Sequence, residues 1–266
     1  MASLDLKHKN TILLIPTVSS ANVPQLALDL IIHTLKIPFH SIVDHHGLLY
    51  SFAGPVDHFE DYPAVPDSDQ GPPTSRPRGI CSALELYHDS NFTCLVQRSP
   101  TLPKLRSQFI SDVLLPLITE NSFSRVILLS SADASLRPDP DQLSFLRISV
   151  LPDLSGQVAK LSISEGITSH LPDPSSSELS ISLPESIPGS GITIPFLRQA
   201  VARKLNVESI ILYAYDGDNV PDAKKLALLV FQCLAIKSPR TWIQPSSWDG
   251  VYGKDMDEHI EHGLYG

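Results

Sequence analysis

Cysteine is scarce in this chain, with three in 266 residues, Cys81, Cys94 and Cys233. Their odd number and wide spacing exclude a disulfide framework and any CxxC-type metal or redox motif. Buried free thiols in a reducing compartment are therefore expected. Charge is sparse as well. Asp, Glu, Lys and Arg make up 18% of the residues, and the balance is acidic, −9 at pH 7. That surplus of carboxylates argues against nucleic acid, whose phosphates it repels, and against anionic membrane surfaces. No apolar run reaches the roughly 18 residues that a membrane span needs. The first ten residues are polar, and the apolar stretch behind them is too short for a secretory leader. A soluble protein of the cytoplasm, with or without the nucleus, is expected.

Proline and serine are plentiful instead. The 23 prolines and many serines predict a compact core interrupted by long polar loops, chiefly at 61–79 and 171–182. Apolar residues gather in short runs. Thr11-Ile12-Leu13-Leu14-Ile15-Pro16 reads as a buried strand closed by proline, and Gln25 to Leu35 is long enough for a helix. Between them, Asn22-Val23-Pro24 places Pro24 in the first turn, where its missing N–H costs nothing, with Asn22 as the cap. The same grammar recurs where strand-like Ile210–Ala214 is followed by Asn219-Val220-Pro221 and a helix from Asp222 to about Leu234. In that helix Ala223, Leu226, Ala227, Val230, Phe231 and Leu234 form one apolar stripe.

Phe92–Gln97 and Arg125–Ser130 read as central strands joined by a helix within 103–120, which Pro116 should kink or end. Pro195 to Leu205 is a further short helix. These elements predict an α/β protein, a three-layer α/β/α sandwich with a mostly parallel central sheet. A single domain over 1–236 and a C-terminal segment over 237–266 are expected.

Catalytic signatures are missing. Asp44-His45-His46 suggests a metal-dependent phosphoesterase, but adjacent strand residues point to opposite faces and the further acidic and histidine ligands are absent nearby. The glycine loop Pro188-Gly189-Ser190-Gly191-Ile192-Thr193 could cradle an anion before a helix, yet it has neither the Gly-Lys-Ser/Thr ending of a P-loop nor the Rossmann spacing. Turns built on Gly189 and Gly191 are the better reading. Asp216-Gly217-Asp218-Asn219 lacks the closing glutamate of an EF-hand, and its carboxylates suit the positive end of the following helix. Ser130-Ser131-Ala132-Asp133 lies where α/β enzymes place active residues, beyond a strand, but Gly-x-Ser-x-Gly is absent. No catalytic residue, metal or cofactor is expected.

Five blocks, in order, resemble the proteasome assembly chaperone 2 family. They are Pro16 to Leu30, Arg125 to Ser131, Pro188 to Thr193, Asp216 to Ala223, and Pro245-Ser246-Ser247-Trp248. The resemblance implies an α/β/α sandwich without catalysis, paired with proteasome assembly chaperone 1 as a heterodimer. That pair would bind the outer face of the 20S α-ring, support ring formation and block off-pathway association. Asn22, Pro24, Gly189, Gly191, Asp218, Asn219 and Pro221 would then shape turns, and Trp248 would anchor the C-terminal segment by core packing or at an interface. The last residues, Leu264, Tyr265 and Gly266, resemble the hydrophobic-Tyr-X tail that docks between α-subunits. By that analogy the terminal carboxylate meets a pocket lysine, Tyr265 packs at the rim and Leu264 fills an apolar recess. The competing function on such a fold is a nucleoside-phosphorylase-like or hydrolase-like enzyme.

Overall fold

The first apolar run is strand β1, Ile12–Pro16, and its side chains divide between two cores. Leu13 and Ile15 point to one face of the sheet and Leu14 to the other. A computed structural model describes residues 10–57, 80–137, 145–151, 160–166 and 183–248. The expected loops at 61–79 and 171–182 and the terminal Leu264, Tyr265 and Gly266 lie outside the described residues.

The remaining strands are β2 (Phe39–Ile42), β3 (Ala53–Pro55), β4 (Ile80–Ser82), β5 (Leu84–His88), β6 (Phe92–Gln97), β7 (Arg125–Asp133), β8 (Phe145–Leu151), β9 (Lys160–Gly166) and β10 (Val207–Ala214). Eight of them form one sheet in the order β2-β5-β6-β1-β7-β10-β8-β9, while β3 and β4 make a separate ribbon. The central four, β6-β1-β7-β10, are mutually parallel. Antiparallel pairs flank them, β2-β5-β6 on one side and β10-β8-β9 on the other. The parallel sheet expected from sequence is thus the centre of a wider mixed sheet. Strands buried on both faces read as continuous apolar runs, which is why the centre was visible and the flanks were not.

Helices cover both faces. On one side lie α1 (Val23–Leu35) and α5 (Val220–Cys233), packed on each other and on Leu14, Ile127, Leu129, Ile210 and Leu212. On the other lie α4 (Thr193–Ala202) and the helix formed by α2 (Arg106–Phe109), a π turn (Ile110–Leu114) and α3 (Leu115–Glu120). These pack on Leu13, Ile15, Leu95, Val126, Leu128 and Ile211. The alternation along β1 and β7 therefore feeds two separate cores, the three-layer arrangement. Phe109, Phe145 and Phe196 are fully buried, each contributing about 1.5–3 kcal/mol.

Two local expectations are corrected. Pro116 does not end its helix; the expected irregularity is a π turn just before it. Its ring should press on the carbonyl of Asp112 one turn earlier, and that residue lies within the π turn, whose wider loop relieves the contact. Pro116 then occupies the first turn of α3. Asn22 does not cap α1 with its side chain. It takes a left-handed conformation at φ 54° and makes no capping bond, so it turns the chain instead.

One buried ionic group spans the sheet. Glu208 on β10 accepts Arg125 of β7 on one oxygen and Arg147 of β8 on the other, the latter at 2.6 Å. The Cys233 thiol at the end of α5 donates to the same carboxylate at 3.1 Å. Burial opposes ionisation of Glu208, but the two arginines outweigh it and hold the carboxyl below its ordinary range.

Candidate interaction site

Three of the sequence blocks singled out above converge at the carboxyl edge of the central sheet. Thr17, just past β1, donates to Ser130 Oγ on β7 at 3.1 Å, and Ser130 Oγ meets Thr193 Oγ1, the first residue of α4, at 2.7 Å. Ser19 Oγ contacts Ser131 Oγ at 2.8 Å and accepts the Ser131 amide at 3.0 Å. The loop before α4 closes the knot, because the amides of Ser20 and Asp133 donate to the carbonyls of Gly189 and Pro188 at 2.9 and 3.1 Å. Thr17, Ser130, Ser131 and Thr193 are fully buried, so their hydroxyls are consumed in holding loops together. Ser130 and Ser131 belong to the body of β7 rather than to a loop beyond it, which corrects the position expected for an active residue.

The glycines are required by contact as well as by backbone conformation. A Cβ at Gly189 (φ +79°) would sit 2.0 Å from Ser20 Oγ and 2.9 Å from the Asp133 amide. At Gly191 (φ +62°) it would sit 2.3 Å from the Val18 carbonyl oxygen. The cleft beside this knot, lined by Val18, Gln97, Thr101, Arg106 and Gly191 among others, has a volume of about 50 Å³. It has room for one or two waters, not for a nucleoside.

The Asp216–Asn219 turn is closed on itself. Buried Asn219 donates from Nδ2 to the Tyr215 carbonyl at 2.7 Å and accepts the Gly217 amide on Oδ1 at 3.1 Å. Asp218 accepts the Val220 amide at 3.2 Å, and Pro221 lies in the first turn of α5 as Pro24 does in α1. The Asp218 carboxylate thus serves the opening of a helix. Asp44, half-buried His45 and His46 form a tight turn in which Asp44 accepts the His46 amide at 2.8 Å. Among the described residues no three His, Cys, Asp or Glu come together with metal-ligand geometry.

Trp248 is 5% exposed and packs in the core shared by α1 and α5. The strap leading to it is fastened in three places. Trp242 stands edge-on to Phe231 of α5 at 5.7 Å, the Ile243 amide donates to Thr34 at 2.9 Å, and the Ser247 amide and hydroxyl donate to Asp57 at 2.7 and 2.9 Å. Asp57 and Thr34, the latter in the last turn of α1, escaped sequence reasoning, because a lone polar residue carries no periodic signal. Thr17 and Ser19 lie in the first matched block, but their partners on β7 left no local pattern. No reactive nucleophile emerges from the cysteines. All three are buried and outside any disulfide, burial drives the Cys94 thiol well up, and burial together with Glu208 pushes Cys233 up to about 11.

The sequence profile of the PAC2 family matches residues 13–236. Proteasome assembly chaperone 2 of Xenopus laevis is 29% identical over 260 residues, covering 93% of each chain, and that of Homo sapiens is 27% identical over 267 residues, covering 92% of each. Among solved structures, the Pyrococcus furiosus protein PbaA, described as an archaeal homolog of proteasome-assembly chaperone, superposes with a TM-score of 0.53 at 14% identity, covering 89% of this chain and 86% of its own. A Thermoplasma acidophilum protein of unknown function gives 0.56 at 14% identity, covering 87% and 80%. These two likenesses share the fold. With the family profile spanning both cores, the serine-threonine knot and α5, the chain belongs to the PAC2 family.

Proposed function

We propose that this chain is a chaperone of 20S proteasome assembly that works by binding rather than by turnover. The observation carrying this reading is the near end-to-end match to proteins named proteasome assembly chaperone 2, over 93% of both chains in the Xenopus laevis case. The site chemistry supports it. The hydroxyls and glycines that resemble an α/β active edge are spent on one another, the neighbouring cleft holds about 50 Å³, and the Cys94 and Cys233 thiols are driven toward the protonated form. Such an edge is a scaffold for a surface, not a place where bonds are made.

In this reading the chain pairs with proteasome assembly chaperone 1, and the heterodimer covers the outer face of the α-ring in the cytoplasm or nucleus. Leu264, Tyr265 and the Gly266 carboxylate dock between α-subunits. Gly189, Gly191, Asn219 and Pro221 shape the turns, and Trp248 ties the C-terminal segment to the domain. No helix among the described residues is long and apolar enough to cross a membrane.

The test is affinity purification of the full chain from its own cells, beside a version lacking Leu264-Tyr265-Gly266, read by mass spectrometry. Recovery of proteasome assembly chaperone 1 with α-subunits, and selective loss of the α-subunits on truncation, is the expected result. If the intact chain brings down neither, the chaperone reading fails.

A further inference from the structure

Two exposed apolar side chains stand on neighbouring loops at the carboxyl edge of the sheet. Tyr215, the first residue after β10, is 60% exposed, and Leu136, closing the 3-10 turn Ala134–Leu136 after β7, is 58% exposed. They are the most exposed large hydrophobic residues among those described. Their strands are paired to the very end, Ala214 opposite Asp133, and the Arg137 guanidinium lies 5.9 Å above the Tyr215 ring.

Neither loop is loose. Asp133 accepts the Ser135 amide and hydroxyl at 2.9 and 2.6 Å, and Arg137 Nε donates to the Ala134 carbonyl at 3.1 Å. The Tyr215 carbonyl is held by buried Asn219. The backbone beneath the tyrosine and the leucine is fixed and the Arg137 side chain is tethered, so binding here orders little more than the two apolar side chains, a condition that favours interface anchors.

Charge decides what can cover them. Asp133 closes β7 beside one loop, Asp216 and Asp218 lie on the other, and the Ser135 hydrogen bonds hold the Asp133 carboxyl below its ordinary value. Three carboxylates against the single Arg137 leave the face acidic, so two copies docking here would bring like net charge together, which disfavours self-pairing. A heterologous surface with basic residues around an apolar recess meets no such penalty.

We propose that the loops 134–137 and 215–218 form the face on which the paired chaperone docks, seating Tyr215 and Leu136 in an apolar recess rimmed by lysine or arginine. This rests on the heterodimer reading, and the net acidity of the face favours a basic partner over its own copy. The strap from Trp242 to Trp248 is fastened to α1, α5 and Asp57 instead. Contact through the C-terminal tail and contact through this face therefore begin from different parts of the domain.

The experiment uses full-length protein and tagged proteasome assembly chaperone 1 from the same cells. Wild type is compared with the Leu136→Ser/Tyr215→Ser double variant, the Tyr215→Ser single variant and Asp216→Lys. Affinity is read by titration, folding by thermal melting and α-subunit recovery by mass spectrometry. The double variant is expected to melt like wild type and bind the paired chaperone at least about tenfold more weakly. Asp216→Lys should slow association, most at low salt. Unchanged affinity in the double variant overturns the proposal, as does loss of α-subunits with pairing intact, which would turn this face toward the ring. Failure of the wild-type chain to bind proteasome assembly chaperone 1 overturns the heterodimer reading itself.

Discussion

Ser130 and Thr193 meet hydroxyl to hydroxyl at 2.7 Å, although 63 positions separate them in sequence. Both are fully buried, and Thr193 passes its own hydrogen to the Ser190 carbonyl at 2.6 Å. Serine at this point on β7 serves the glycine loop that leads into α4, and that loop in turn rests on the chain leaving β1. The arrangement satisfies buried donors and acceptors mutually, which is what keeps such a polar centre inexpensive.

Gly191→Ala should therefore break more than a turn. Its φ of +62° disfavours a side chain, and the new Cβ would stand 2.3 Å from the Val18 carbonyl oxygen, a backbone atom that cannot swing aside. A loss of about 2–4 kcal/mol is expected in urea unfolding. Gly217→Ala, with nothing within 4 Å of the added atom, should cost less than about 1 kcal/mol. Equal costs at the two sites would refute the contact argument.

Trp248→Ala should remove about 3–5 kcal/mol by opening a cavity in the core shared by α1 and α5. Asp57→Ala should cost less, about 1–3 kcal/mol, because it strips partners from the Ser247 amide and from the Ser246 and Ser247 hydroxyls while leaving the indole in place. Limited proteolysis should then cut the strap after Lys237 sooner in the tryptophan variant than in the aspartate variant. The reverse order would show the hydrogen bonds, not the indole, to be the main attachment.

Two buried groups on α1 should act against each other as pH changes. Burial lifts the Asp29 carboxyl from 3.8 to about 6 against the pull of Arg98, with Asp57 and Glu85 adding to the rise. Burial lowers His33 from 6.5 to about 4, opposed by Asp57 and assisted by Arg98. Between pH 4 and 6 folded Asp29 keeps a proton that the unfolded chain has released, so its contribution to stability falls as pH rises. From pH 4 to 6.5 unfolded His33 keeps a proton that the folded chain has given up, so its contribution rises. Relative to wild type, Asn at Asp29 should gain stability across this window and Gln at His33 should lose it, each by about 1–3 kcal/mol. Urea unfolding at pH 4.5, 5.5 and 6.5 checks the signs, and two flat difference curves would sink the assignment.

Much of the framework was legible in the sequence. β1, β6, β7 and β10 carry the apolar runs Ile12–Pro16, Cys94–Val96, Val126–Leu129 and Ile210–Ala214 because both their faces are covered, and the α5 stripe is unbroken from Ala223 to Leu234. The flanking strands were missed because their sequences mix polar residues into short runs. Phe39-His40-Ser41-Ile42 carries one buried residue in four, and β8 interposes Arg147 and Ser149 among its apolar positions. The turns at Gly189, Gly191 and Asn219 were legible as turns, but not the partners they would meet, since contacts across 112 or 169 positions leave no local pattern. The exposed pair Leu136 and Tyr215 was invisible, because exposure follows from where two strands end side by side.

The shared carboxylate of Glu208 has one more effect. β8 is the strand at which the sheet changes from parallel to antiparallel, and its pairing with β10 sets Ile148 opposite Ser209 and Leu146 opposite Ile211. A slide by one residue would turn Arg147 to the opposite face, and a slide by two would carry it away from Glu208 along the strand. Either would leave a buried charge short of a partner, while Arg125 held its place from the parallel side. One glutamate thus acts as an alignment pin between two halves of the sheet that follow different pairing rules.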